Sequence, residues 1–278
     1  MISGPTFDKR RIRTHYDLAT PFYRLFWGRH IHHGFWEGSE SPAVAQQKLT
    51  DRVISEAGFR GGERVLDVGC GIGASAIYLA KAFGCDVTGV TLSPVQARWA
   101  TLAARWHGVG RQTRFLAADA ETVELPAESF DVVWILECTE NLFDKPAFIR
   151  RVAEWLRPGG RTAICAWQLG DGPLDDEARR LALEVCEEFY YPSLGNTDDY
   201  RTWFIDAGLT VERSLNWTDR VAKTWELSLE SVDRSHVHLF ARLIGRKELP
   251  FWDRYRAILR AYRTGAMTYT CWIASKPD

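Results

Sequence analysis

The sequence contains no CxxC pair, no internal repeat, no low-complexity segment and no run of like charge. Its six cysteines, at positions 70, 85, 138, 165, 186 and 271, are scattered, and Cys165 and Cys271 fall inside apolar runs. That spacing argues against a disulfide framework or a zinc site and points to reduced, buried thiols. No apolar stretch reaches membrane-spanning length. Met1 to Arg13 is polar and lacks the apolar segment of a signal peptide, so the expected compartment is the cytoplasm. With a net charge of −1, the chain has no basic excess of the kind a dedicated nucleic-acid or membrane-surface binder needs.

What is present is an ordinary globular composition, 46% hydrophobic and 26% charged, over 278 residues. That is enough for one large domain, or one domain with a lid. Aromatics are plentiful, with 12 Trp, 14 Phe and 9 Tyr, which leaves room for an aromatic-lined pocket beyond core packing.

From residue 63 the pattern alternates. Arg64–Val68 is a short apolar strand, followed by a glycine turn and an apolar helix from Ala74 to Phe83. Asp86–Val90 is a second strand, and Ser93-Pro94-Val95-Gln96 opens a helix to about His107. Strands follow at Arg114–Ala117, Phe130–Leu136 and Arg161–Trp167, with a helix from Asp144 to the Arg157-Pro158-Gly159-Gly160 stop. Such alternation predicts βαβ units and a parallel sheet covered on both faces. The flanks read differently. Residues 5–28 look helical, and Ser41-Pro42 opens a helix to about Gly58. Residues 171–207 and 218–264 read as mostly helical, with strands near Leu209–Ser214 and Met267–Ser275. The expected division is a cap segment over 1–40, an α/β core over 41–168, helical cap insertions over 169–264 that include one core strand, and a last core strand in 265–278.

The turn Asp67-Val68-Gly69-Cys70-Gly71-Ile72-Gly73 lets backbone approach a ligand closely and points helix N–H groups at it. Gly69-x-Gly71-x-x-Ala74 also satisfies a relaxed dinucleotide fingerprint, so an NAD enzyme is a rival. Three details weigh against it. Asp67 at the strand end suits a cationic ligand and would repel a pyrophosphate. The second strand ends in Val90-Thr91-Leu92-Ser93, without the ribose-binding acid of NAD enzymes. A second acidic turn, Ala118-Asp119-Ala120, stands where an adenine amino group can be met.

The run Val65 to Gly73 resembles the first motif of class I S-adenosylmethionine-dependent methyltransferases. Val87 to Gln96 is similar to the second-strand segment of the γ-tocopherol methyltransferase-like and cyclopropane-synthase-like subgroups, which carry threonine in place of the acid. Tyr16-Asp17, Trp27-Gly28 and His32-His33-Gly34-Phe35-Trp36 look like the tocopherol-type cap, and Arg260 to Tyr269 like that subgroup's C-terminus. The resemblance thus spans nearly the whole chain. It implies a Rossmann-like seven-stranded, mostly parallel sheet with helices on both faces and a helical, aromatic cap. It also implies S-adenosylmethionine as cofactor, held by Tyr16, Asp67, Gly69, Cys70, Gly71, Thr91, Leu92, Gln96, Asp119 and Ala120, with Thr91, Leu92 and Gln96 at the ribose edge. Glu137, which ends the fourth strand, is expected as a further contact on the cofactor side.

Methyl transfer needs alignment, exclusion of water and sometimes a base. The family often has Glu-His after the fourth strand. Here Asn141 stands at the histidine's place and accepts no proton at neutral pH. Glu140 and His33 are therefore the candidate bases. Trp36, Trp225 and His238 are expected in the acceptor pocket, among the cap aromatics Tyr190, Tyr191, Trp203, Trp252 and Tyr255. The clustered His30, His32 and His33, and the distant His236-x-His238, lack matching carboxylate or thiol spacing, so no metal is expected. The acceptor is expected to be a small aromatic or lipophilic molecule, with O, N or C open. The rivals are a cyclopropane-synthase-like enzyme on lipid alkenes and a cofactor-binding protein without transfer activity.

Overall fold

The computed structural model describes residues 1–22, 30–234 and 251–278. In chain order the strands are β1 (Ile2–Ser3), β2 (Arg64–Val68), β3 (Asp86–Thr91), β4 (Thr113–Ala117), β5 (Phe130–Leu136), β6 (Leu156–Leu169), β7 (Ser193–Leu194), β8 (Thr210–Asn216) and β9 (Met267–Ser275). The helices are α1 (Lys9–Phe22), α2 (Pro42–Ala57), α3 (Ala74–Phe83), α4 (Pro94–Trp106), α5 (Lys145–Trp155), α6 (Asp176–Phe189), α7 (Thr197–Asp206), α8 (Thr218–Val221), α9 (Lys223–Arg234) and α10 (Phe251–Arg263).

Seven strands form one sheet in the order β4-β3-β2-β5-β6-β9-β8. All neighbours are parallel except β9, which runs antiparallel to both β6 and β8. Successive residues of a strand point to opposite faces. Val65, Val87 and Val132 accordingly enter one apolar cluster, while their chain neighbours Leu66 and Val133 enter another. Burial on both faces is why the central strands read as continuous apolar runs. Between β2 and β5 the strand order reverses, and a crevice forms there beyond the strands' carboxyl ends. No helix among the described residues is long and apolar enough to cross a membrane. The six cysteines are unpaired.

The turn chemistry decides several boundaries. Ser93 Oγ accepts from Gln96 N at 3.0 Å and fixes the start of α4, as its sequence predicts. Ser41 precedes α2 with no side-chain cap bond, so Pro42 alone sets that start. The N-terminal helix begins at Lys9 rather than at residue 5. Beyond Phe22 the expectation lies outside the described residues up to His30. The predicted stop at Arg157–Gly160 is instead the opening of a long β6, whose Leu156 pairs with Phe130. The antiparallel pair β1–β7 has no sequence signature: strands of two residues carry no periodicity.

Candidate active site

The crevice opens into a cavity of about 1450 Å³, its mouth included. The glycine turn forms one wall. Gly69, Gly71 and Gly73 all have positive φ, at 76°, 52° and 81°. At Gly69 a Cβ would sit 2.5 Å from Cys138 Sγ, so only glycine lets the turn pass under the loop after β5. At Gly71 nothing lies within 4 Å of that position, so the backbone faces open space. Asp67, 3% exposed, borders with His30, His32 and Cys70 a smaller neighbouring cavity that shares His32, Gly69 and Gly71 with the first. Its Oδ2 has no hydrogen-bond partner among the described residues, and burial pushes the carboxyl up to about 7.

Thr91, Leu92 and Gln96 line the next wall, with the Thr91 hydroxyl donating to Gln96 Oε1 at 2.8 Å. Asp119 and Ala120 line the far side. Asp119 carries a partner that the sequence does not announce: Lys9 Nζ of α1 donates to its Oδ2 at 2.5 Å and reaches Glu121 at 2.6 Å. Helix α1 is further tied down where Ser93 Oγ donates to Asp17 Oδ1 at 2.5 Å. Tyr16 borders the same space, and Asn141 Nδ2 donates to its hydroxyl at 3.3 Å.

The opposite half is aromatic: Trp167, Phe189, Tyr191, Trp225 and Tyr255 line it. Trp167 packs edge-on against Phe189, Tyr191 and Trp225. Between the halves stands a buried pair. His33, 1% exposed, and Glu137 lie with Nδ1 and Oε1 2.9 Å apart. Trp225 Nε1–H can only donate, and it meets His33 Nε2 at 2.7 Å. Nε2 is therefore the acceptor nitrogen, and the proton sits on Nδ1, directed at Glu137. The Tyr262 hydroxyl lies 3.4 Å from the same Nε2. Glu137 also accepts from the His33 backbone N–H at 2.9 Å, the Tyr269 hydroxyl at 2.9 Å and the Trp167 indole at 3.2 Å. Burial alone would raise this carboxyl, but the facing His33 and its hydrogen bonds hold it below the usual range. Glu137 adopts φ 54°, a left-handed conformation unusual for this residue, and the bonds on its carboxylate hold it there.

Several sequence expectations change. Glu140 is 1% exposed and does not line the cavity. Its carboxylate accepts the Trp167 backbone N–H on one oxygen, the other has no partner among the described residues, and burial pushes it up to about 8. A carboxyl so enclosed cannot meet an acceptor, so its candidacy as base falls away. Asn141 does line the cavity. Trp36 lies off the cavity, its indole donating to Thr224 Oγ1 at 2.9 Å. Trp225 lines the cavity, and so do Tyr191 and Tyr255. Tyr190 instead packs on Phe7 and His15, and Trp203 on Tyr200. His236 and His238 lie outside the described residues. Glu137, expected as a contact on the cofactor side, lines the cavity and meets His33 Nδ1. Among the described residues no three His, Cys, Asp or Glu side chains group to hold a metal ion. Lys9, Ile12, His15, Trp167 and Phe189 line the cavity without any sequence signal beyond an apolar or basic letter.

Taken together, a mostly parallel sheet with a glycine turn, a strand-end carboxylate and two adjoining cavities at the crevice define an α/β enzyme of a nucleoside cofactor. A family model described as a methyltransferase domain matches residues 66–164. The chain is 31% identical over 235 residues to the chloroplastic tocopherol O-methyltransferase of Arabidopsis thaliana, a match covering 78% of this chain and 68% of that protein. It is 31% identical over 266 residues to the 27-O-demethylrifamycin SV methyltransferase of Amycolatopsis mediterranei (strain S699), covering 95% and 96%. Among solved structures, the [4+2]-cyclase SpnF aligns with a TM-score of 0.81 at 25% identity, covering 100% of this chain and 98% of that one. The chain belongs to the class I S-adenosylmethionine-dependent methyltransferases, in the tocopherol methyltransferase-like group.

The family's methyl donor is S-adenosylmethionine. The residues present fit it: an orphaned, buried Asp67 oxygen suits a cationic group, and the open backbone at Gly71 allows close approach.

Proposed function

We propose that this methyltransferase modifies a hydroxyl of a small aromatic or lipophilic acceptor, with His33 as general base and Glu137 as the residue that positions it. The His33–Glu137 pair at the junction of the two half-cavities carries this reading. Two relatives support it by name, one acting on tocopherol oxygen and one on a demethylrifamycin oxygen. The aromatic half of the cavity suits such an acceptor.

Asp67, Gly69, Cys70, Gly71, Thr91, Leu92, Gln96, Asp119 and Ala120 would hold the donor, with Tyr16 closing over it. When bound, the donor supplies an electrophilic methyl carbon on a sulfonium whose charge is neutralised as the methyl departs. The chain's own residues prepare the oxygen that receives it. Glu137 fixes the imidazole with its proton on Nδ1, leaving Nε2 as the basic atom. An acceptor hydroxyl delivering its proton to Nε2 displaces the Trp225 N–H from that lone pair. The imidazolium that forms is stabilised by the Glu137 carboxylate, which keeps its charge because its other donors stay in place. The rings of Trp167, Phe189 and Tyr191 exclude water and orient the acceptor.

A labelled-methyl transfer screen over phenols, hydroquinones, amines and indoles tests the reading. Transfer to hydroxyls that His33→Ala abolishes supports it; transfer only to nitrogen or carbon, indifferent to His33, removes it. A second reading draws on the cyclase neighbour and on the Trp225 N–H already seated on Nε2. In it the cavity binds the cofactor but shapes a reaction other than transfer. Donor binding in calorimetry with no labelled product across the whole screen favours that second reading.

A further inference from the structure

Helix α4 carries an exposed apolar face that no element of the protein covers among the described residues. Trp99 is 43% exposed, Leu102 65% and Trp106 88%. At about 100° per residue these positions fall in one narrow sector, opposite the buried Ala97, Ala100 and Ala104. Arg98 and Arg105, both exposed, project along one border of that sector. The adjoining loop and the sheet-edge strand β4 add exposed Arg111 and Arg114. Between Asp86 and Asp119 the chain holds four arginines and no acidic residue, although its net charge is only −1.

We infer that this face is a docking surface for an anionic lipid bilayer. Two tryptophans around a leucine, bordered on one side by arginines, match the chemistry of a helix lying in the headgroup region. Indole rings settle at that boundary, the aliphatic side chain enters it, and guanidinium groups reach lipid phosphates. A second copy of this chain fits less well, because a two-fold interface through α4 brings the arginines of both copies together. Each arginine near an anionic surface multiplies binding roughly five-fold, so the surface is selective for negatively charged lipid. The position has a use. Helix α1, bonded to the start of α4 through Asp17 and Ser93, lines the cavity with Ile12, His15 and Tyr16. Docking α4 brings the bilayer beside the helix that borders the active site. The inference stands on the surface itself; the lipophilic acceptor of the proposed reaction only gives it a purpose.

Flotation of the full chain with phosphatidylcholine vesicles, with and without phosphatidylglycerol, tests it. The wild-type protein is expected to float with the anionic vesicles at least about ten-fold more than with neutral ones, and less as salt is raised. Trp99→Ser with Trp106→Ser, and separately Arg98→Glu with Arg105→Glu, are expected to lose about ten-fold or more of that binding. All four positions are exposed, and unchanged S-adenosylmethionine affinity by calorimetry shows that the variants remain folded. A wild-type protein that does not float overturns the inference, as does flotation that neither pair changes. A mass in light scattering that halves in the tryptophan variant also overturns it and makes the face a contact between copies. Failure of donor binding in every protein refutes the methyltransferase reading and leaves the vesicle result standing by itself.

Discussion

The two halves of the cavity are built in different ways. The donor half is built around local backbone geometry, the glycine turn and the Thr91–Gln96 bond across five residues, and helix α1 joins it from afar through Lys9 on Asp119 and Tyr16 on Asn141. The acceptor half is assembled from distant pieces. His33 and Glu137 are 104 residues apart, Tyr269 and Glu137 are 132 apart, and Trp225 and His33 are 192 apart. A half made of local geometry tolerates change elsewhere in the chain and fails at its glycines. A half made of long-range side-chain bonds lets single residues be retuned without disturbing the donor.

If that division holds, the largest effect falls on the acceptor half alone. His33→Ala is expected to lower kcat by about 10²- to 10⁴-fold while leaving the calorimetric donor affinity unchanged. A matched loss of donor affinity would show that the halves are one unit. Glu137→Gln is expected to cost about 10²-fold in kcat, since the neutral amide no longer stabilises an imidazolium on Nδ1. Retention of the wild-type rate and pH profile would remove Glu137 as the positioning residue.

The donor half breaks through Asp67. Burial raises this carboxyl to about 7, so below that pH a proton neutralises it, and above it the carboxylate is free to meet a cation. Donor affinity is therefore expected to rise about ten-fold between pH 6 and 8 and then level off. Asp67→Asn should bind more weakly and without that slope, measured by calorimetry across the range. A wild-type affinity flat across pH 7 would dissociate Asp67 from the donor.

The smallest effect concerns Glu140, which is buried and lines no part of the cavity. Its carboxyl is raised by burial to about 8, above its unfolded value. The sign follows: its contribution to stability is full below the unfolded value and is lost as pH rises toward 8. Glu140→Gln is expected to flatten that decline, by a few degrees in Tm between pH 5 and 8. Parallel Tm–pH curves for the two proteins would mean that the carboxyl titrates normally.

Much of the donor half was legible beforehand. Asp67, Gly69, Gly71, Thr91, Gln96, Asp119 and Ala120 all border the cavity or the smaller one beside it, because a strand followed by a glycine turn places its neighbours through backbone geometry. Lys9 on Asp119 was not legible, since nothing near either residue announces the other. In the acceptor half, His33 and Glu140 were equally plausible bases by residue type. They differ only in surroundings: one borders the cavity, and the other is sealed under the backbone of Trp167. Trp36 and Trp225 read alike as cap aromatics, yet one bonds Thr224 away from the cavity and the other bonds His33 within it. The near-neutral net charge concealed the arginine-bordered face of α4, because a total says nothing about placement.

By itself, the amino-acid sequence determined the alternating sheet, its two buried faces and the glycine turn that borders the cavity. These depend on side-chain period and on backbone conformations that only a few residue types adopt. Only the tertiary structure decided which carboxylate meets which imidazole and which aromatic rings line the cavity. Those outcomes depend on distances between residues a hundred or more positions apart, which packing sets and no local pattern encodes.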